Sequence, residues 1–501
     1  MTVLGMVFAA AAFGALLIGR RAFTCVLAAS AAVPASAAVT VAGTSVSPFY
    51  ALAAVASVLL LFDTRRTVAA PGGRLLTVFA AWSLLVTLVA PFVFRGVRVL
   101  SPREGVDNAV MSPDPLGFSV SSLAQAGYLV LALCAVVYVA RSGVGPMVVA
   151  LPLALGTALS SLAAGMAFVG LRWPREFFDT SVNVMYSDTS DGLESRLRGV
   201  FSEPSELAGF SLAALAFFAV AAFRAGPRAR AAAVILAAAA AVNLQLASSG
   251  TAVMGLVIFL VIAASAGLVQ LVRRGGRALP MVVLGALLAS VPGVLFLDGI
   301  VAEAGAVVNG KVGSISYVSR TTADLFSLGL LGETTGIGVG LGANRPSSFG
   351  AMLLSSVGVI GTVAFVGAAG ALIARAGKSR VGIPAVWGLI ALLTAKAVAL
   401  PDLSVPLLWM LVAACAAAAW RVEEPGWSAS EFTKHSPNAN MSVLTMKRSG
   451  HGPEGVPPAD VAALEADPGD RGRRGARRSR QRDAHRAALH RDGAAVRGRA
   501  G

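Results

Sequence analysis

The chain has 501 residues, 56% hydrophobic and 13% charged, with a mean hydropathy of +0.74. Soluble domains carry roughly 25% charged residues, so this composition excludes a soluble globular protein. The net charge of +15 and pI near 10.8 raise nucleic acid as a partner. The basic residues form no face interleaved with aromatics, however, and that class is set aside.

Apolar runs close to the length that crosses a bilayer as a helix predict spans at 3–19, 22–42, 49–63, 75–94, 123–140, 146–170, 207–223, 231–247, 251–272, 279–297, 349–374, 382–399 and 403–420. Arg20-Arg21 ahead of an apolar stretch superficially resembles a twin-arginine export signal. The many later spans favour an arginine pair at a helix end. Cys25, Cys134 and Cys415 all fall inside spans and read as small buried hydrophobes. All four histidines, His435, His451, His485 and His490, lie beyond the last span.

The expected fold is therefore all-α, a polytopic membrane protein of about 13 transmembrane helices. Charge sets its expected orientation. One set of alternate connections collects Arg20, Arg21, Arg65, Arg66, Arg74, Arg141, Arg224, Arg228, Arg230, Arg273, Arg274, Arg277, Arg375, Lys378, Arg380 and Arg421, with Asp63 as its one acid before the tail. The other set takes the remaining 15 acids of residues 1–421. Cytoplasmic loops carry the excess of Lys and Arg, so the N-terminus is expected outside and the C-terminus in the cytoplasm of a cell (inner) membrane. Three long outer loops are expected at about 95–122, 171–206 and 298–348. They hold ten basic residues, among them Arg196, Arg198, Arg320 and Arg345. Residues 1–421 form the membrane domain. Residues 422–501, rich in Pro, Gly, Asp and Arg, are expected to be a disordered basic cytoplasmic tail. Its last thirty or so residues read like an out-of-frame translation of a GC-rich gene, consistent with only five of the 41 basic residues being Lys.

Two outer loops carry the residues with chemical potential. The second ends in Arg196-Leu-Arg198-Gly-Val-Phe-Ser-Glu203-Pro-Ser-Glu206-Leu-Ala-Gly209. This is a loop feeding a helix, with Ser202 or Ser205 able to cap it, Pro204 in the first turn, and Glu203 and Glu206 at its positive end. The group reads equally well as a capped helix with a solvated charge cluster, or as two guanidiniums for a diphosphate beside a carboxylate base. In the third loop Tyr317, Arg320 and Asp324 share one helical face. This allows an Arg320–Asp324 pair on an interfacial helix as readily as a ligand contact. Next, Gly336, Gly338, Gly340 and Gly342 alternate ahead of Asn344-Arg345-Pro-Ser347-Ser348. Such glycines turn backbone amides toward an anion or let chains pack closely. The pattern is neither a P-loop nor a dinucleotide fingerprint.

The ordered set Arg-x-Arg-Gly-Val-Phe-Ser-Glu-Pro-Ser-Glu-Leu-Ala-Gly (196–209), Ser248-Ser249-Gly250-Thr251-Ala252, Ser319-Arg320-Thr321 through Gly-x-Gly-x-Gly-x-Asn-Arg-Pro-Ser-Ser (336–348), then Leu-Leu-x-x-x-Gly-Val-Ile-Gly (353–361) resembles the O-antigen polymerase and O-antigen ligase superfamily. Within it, the chain looks most like exopolysaccharide polymerases. The resemblance covers about residues 190–375. It implies transfer of a glycan from a polyprenyl-diphosphate carrier to a sugar hydroxyl at the outer face, without cofactor, nucleotide or metal. Carried over to this chain, Arg196 or Arg198, Arg320 and Arg345 would bind the diphosphate, and Glu203 or Glu206 would be the base. Expected partners are the lipid-linked glycan and membrane lipids, with a chain-length regulator and a flippase as companions, and no nucleic acid. Two departures stand out. Gly250 occupies a position near which many relatives carry arginine, and no outer loop holds the histidine that ligases use. The latter favours polymerase over ligase. A transporter or flippase would place ionisable residues at mid-membrane. Here Lys396 alone lies within a span, near its outer end, where it can snorkel toward Asp402 or headgroups. A non-catalytic assembly scaffold is the last alternative.

Overall fold

A computed structural model describes residues 1–41, 43–63, 72–100, 113–182, 184, 186, 196–247, 250–274 and 315–423. The span expected at 279–297, Ser248, Ser249, Lys311 and the tail from 424 lie outside the described residues. Helices make up 72% of the described structure. In chain order they are α1 (Val3–Ile18), α2 (Arg20–Ser30), α3 (Pro48–Leu61), α4 (Gly73–Val93), α5 (Val120–Arg141), α6 (Ala150–Phe168), the short α7 (Arg175–Phe178), α8 (Pro204–Ala222), α9 (Pro227–Leu246), α10 (Gly250–Arg274), α11 (Ile315–Glu333), α12 (Phe349–Ala376), α13 (Ile383–Val398) and α14 (Pro406–Glu423). Two small hairpins join them, β1 (Val39–Val41) with β2 (Thr44–Val46), and β3 (Arg98–Val99) with β4 (Asp114–Pro115).

Among the described residues, seven helices are long and apolar enough to cross a membrane: Gly73–Val93, Val120–Arg141, Pro146–Phe168, Pro204–Ala222, Pro227–Leu246, Val253–Arg273 and Phe349–Ala376. Shorter apolar helices run over Val3–Ile18, Pro48–Leu61, Ile383–Val398 and Pro406–Trp420. Large hydrophobics such as Phe13, Leu88 and Phe92 are exposed on the outside of the bundle. An apolar exterior of this kind suits lipid, and it marks the chain as a membrane protein. The three cysteines are free, with Cys415 buried and the other two partly so.

Helix α8 is the centre of the bundle. Every residue from Leu207 to Ala222 is buried, and it packs on α9, α13 and α10. At one end of the bundle Arg20 pairs with Asp63 at 2.7 Å and lies 4.8 Å over the Tyr138 ring. Arg224 donates there to the carbonyl of Arg380 at 3.1 Å. These residues meet as the charge alternation groups them.

The span expected at 22–42 is not one helix. α2 stops at Ser30, and residues 33–38 run on in non-helical backbone. Pro34 lacks an amide proton and disfavours helix at Val33. The segment after the break packs against the start of α1, where Thr2 donates from its amide to Ala38 O at 3.1 Å and from its hydroxyl to Ala37 O at 2.6 Å. Polar groups of non-helical backbone need partners from elsewhere in the protein, and several here have them. Tyr186 donates to Ala35 O, Ser36 donates to Phe178 O, and Ala37 N donates to Thr180 Oγ1.

Candidate functional site

A narrow pocket opens where this broken segment meets the central helix. Ala31 and Pro34 form one wall, Phe201 and Phe210 another, and Leu400 closes it; the two ionisable residues lining it are Glu206 and Lys396.

The local fold of the Glu206 wall begins with a turn at Arg198, whose carbonyl accepts from Phe201 N at 3.1 Å. Glu203 is the extended residue preceding α8, and Pro204 starts the helix. Neither serine caps α8 as expected. Ser205 Oγ donates to Glu203 Oε2 at 3.0 Å, and Glu206 reaches back to Ser202, accepting from its hydroxyl at 2.5 Å and its amide at 3.2 Å, both on Oε2. A carboxylate returning to an amide ahead of the first turn fixes the chain's entry and suits the positive helix end. Among the described residues, Glu206 Oε1 takes no hydrogen bond.

Lys396 forms the facing wall. It is fully buried, and of the two expected destinations, Asp402 or headgroups, it reaches Asp402. Its ammonium lies 4.7 Å over the Phe349 ring and donates to the carbonyls of Leu400 at 2.8 Å and Asp402 at 2.7 Å. Asp402 is thus a main-chain partner. Leu400 is in the left-handed region at φ 64, a conformation that costs a branched side chain about 1–2 kcal/mol. The surrounding turn is held by Tyr50, which donates to Ser404 O at 2.9 Å, and by Trp409, which donates to Leu403 O at 2.8 Å. Lys396 and Glu206 make no ion pair with each other.

Among the expected guanidiniums, Arg198 differs most from the reading as an open anion clamp. It is buried, with both terminal nitrogens on Asp179 and one also on Phe201 O at 3.1 Å, and it lies 5.2 Å over the Tyr186 ring. Burial pushes the Tyr186 phenol up to about 12, so it remains the donor that latches Ala35. Arg196, Arg320 and Arg345 are exposed. The Arg320–Asp324 pair is absent. Asp324 Oδ1 instead accepts from the amides of Ser347 at 2.7 Å and Ser348 at 3.0 Å, just ahead of α12, where helix amides favour an anion. Phe349, the first residue of α12, is the ring beneath Lys396. The Arg320 helix, the Arg345 loop and the pocket are therefore joined through Asp324, Ser348 and Phe349.

The alternating glycines serve close packing. Val339 N and Gly340 N donate to Ser355 O at 2.8 Å and Ser356 O at 2.9 Å, and Val359 N donates to Gly336 O at 2.9 Å. These bonds fill a break in α12 at Gly358, whose φ is 66. Trp82 Nε1 donates to the Val357 carbonyl at 2.9 Å in the same break. At Gly338, φ is 94 and a Cβ would stand 2.7 Å from Ser356 O. With these amides bonded to carbonyls, they are not an anion nest.

Sequence reasoning missed the Asp179 partner of Arg198, the turn around Lys396, and the role of Ala31 and Pro34. The one local signal was Pro34 inside an otherwise continuous apolar run. Among the described residues, no group of three His, Cys, Asp or Glu could hold a metal ion. In comparison with known proteins, no family model and no curated protein matches the chain.

Proposed function

We propose that the chain polymerises polyprenyl-diphosphate-linked oligosaccharide repeat units into a surface polysaccharide, with the pocket end of the bundle facing away from the cytoplasm. The observation that carries this reading is Glu206, a carboxylate at the start of the most buried helix, fixed through one oxygen and uncommitted at the other, in a pocket with exposed arginines on adjoining segments.

The acceptor hydroxyl attacks the anomeric carbon of the lipid-linked donor, and its proton passes to Glu206. The bond from that carbon to the diphosphate oxygen breaks, and the polyprenyl diphosphate leaves with the electron pair. A diphosphate leaves without a general acid, so the protein's main task is to stabilise the charge that develops on it. Fixed guanidinium donors suit that task. With Arg198 held by Asp179, this role falls to Arg196, Arg320 and Arg345. Arg198 then acts by holding the loop, and Glu203 by fixing Ser205.

Purified protein in lipid, given polyprenyl-diphosphate oligosaccharide from cells that lack this gene, should produce a ladder of products. Glu206→Gln should produce none. A ladder of equal yield from that variant would remove Glu206 as base.

One observation favours a second reading, movement of the lipid-linked glycan across the membrane. A buried lysine and a half-helix opening on a pocket are features of transporter sites. A transporter would move labelled donor between leaflets of a vesicle and yield no ladder.

A further inference from the structure

We propose that Lys396 Nζ and Glu206 Oε1 form a hydroxyl subsite that receives the attacking hydroxyl of the glycan acceptor. This rests on the glycosyl-transfer reading and assigns the acceptor to one part of the site.

An ammonium has three donors and no acceptor. Two of those at Lys396 are fixed on Leu400 O and Asp402 O, and the third has no hydrogen-bond acceptor among the described residues. Across the same pocket, Glu206 holds Ser202 through Oε2 alone. The two residues line one pocket without pairing, so it presents one cationic donor and one anionic acceptor with space between them. Lys396 is fully buried and, beside the Phe349 ring, keeps a donor that no oxygen among the described residues meets, while the half-buried Glu206 keeps an open oxygen; the group that matches both is one that donates and accepts through a single atom.

A hydroxyl does this, and the rest of the lining is apolar. A diphosphate does not, because it would set its own negative charge against the Glu206 carboxylate inside a poorly solvated pocket. The exposed Arg320 and Arg345 are the better place for it. In the hydroxyl pose the proton already lies on the line to Glu206. Lys396 engages one lone pair, which leaves the other for the anomeric carbon.

The experiment uses the full chain in lipid nanodiscs. The acceptor probe is the radiolabelled oligosaccharide released by mild acid from the lipid-linked donor of the source cells. The donor probe is the intact lipid-linked form. Wild type is first tested for the product ladder. Lys396→Met and Glu206→Met, each isosteric but without hydrogen-bonding groups at the pocket, should then bind the acceptor probe at least 10-fold more weakly and the donor probe as wild type does. Glu206→Met carries the same test if Lys396→Met does not fold. A wild type that makes no ladder overturns the glycosyl-transfer reading and this assignment with it. A wild type that makes the ladder, with variants that bind the acceptor normally or lose donor and acceptor equally, overturns the subsite alone.

Discussion

Asp179 holds both terminal nitrogens of Arg198, one of them at 2.9 Å from Oδ1, and the two side chains are 6% and 12% exposed. This pair ties the loop after α7 to the turn that launches α8. It therefore sits behind both Glu206 and the broken segment after α2. Removing one member of a buried pair costs about 3–5 kcal/mol because the other charge is left uncompensated. Asp179→Asn and Arg198→Ala should both lower thermal stability in detergent by that order and reduce polymer together. If Arg198→Ala abolished polymer with an unchanged melting temperature, Arg198 would be a substrate ligand instead.

Arg320 and Arg345 should behave oppositely. Both are exposed, and Arg345 engages its surroundings through its amide, which donates to Leu100 O at 2.9 Å. Truncating either to alanine should leave stability unchanged and lower the rate by roughly 100- to 1,000-fold, the loss of one donor that stabilises transition-state charge. Turnover with lipid-linked donor, measured beside a melting curve, separates this from unfolding.

The break in α12 offers a test of packing alone. Gly338→Ala would place a methyl group 2.7 Å from Ser356 O in a left-handed residue. Gly358→Ala meets the carbonyls of Gly336 and Ile337 at φ 66. Each should destabilise the protein by at least about 1–3 kcal/mol. Gly370→Ala, whose Cβ would meet nothing within 4 Å, serves as the control and should melt as wild type. Equal melting temperatures for all three would mean that the break is not held as described.

Asn344 is a further structural test. Its amide nitrogen donates to Ser327 Oγ at 2.8 Å and Ser355 Oγ at 3.1 Å, and its oxygen accepts from Leu100 N at 3.0 Å. Asn344→Leu leaves the buried Ser327 and Ser355 hydroxyls and the half-buried Leu100 amide without this partner and should cost about 3 kcal/mol, from unsatisfied groups at about 1–3 kcal/mol each. Chemical denaturation in detergent would show it. The exposed neighbour Arg345 should then lose turnover as well, through displacement of its loop.

The long apolar helices were legible because lipid imposes a length and leaves no alternative to satisfied backbone. Grouping the charges put Arg20 and Asp63 on one side, but their pairing came only with the structure. What escaped depended on partners distant in sequence. The extended stretch after α2 is tolerated because Phe178, Thr180 and Tyr186 satisfy it, and the run of small residues at 22–42 carries no trace of them. Arg198 finds Asp179 across a loop, beyond any helical spacing. The i, i+4 spacing of Arg320 and Asp324 allowed a pair as readily as a ligand contact, and the amides of Ser347 and Ser348 ahead of α12 hold the carboxylate instead. Lys396 lies near the end of a span, where a snorkelling cation is the ordinary reading, and only the reversal of chain direction after Ala399 turns it inward.

Polymerisation outside the cytoplasm requires the pocket end of the bundle, with Glu206 and Arg320, to face that side of the membrane. In a variant whose three native cysteines are replaced by alanine, a single cysteine at Arg320 or Arg345 should react with a membrane-impermeant maleimide in intact cells. A cysteine at Arg228, beyond the opposite end of α8, should react only after permeabilisation. Labelling of Arg228→Cys in intact cells, with Arg320→Cys protected until permeabilisation, would contradict the account.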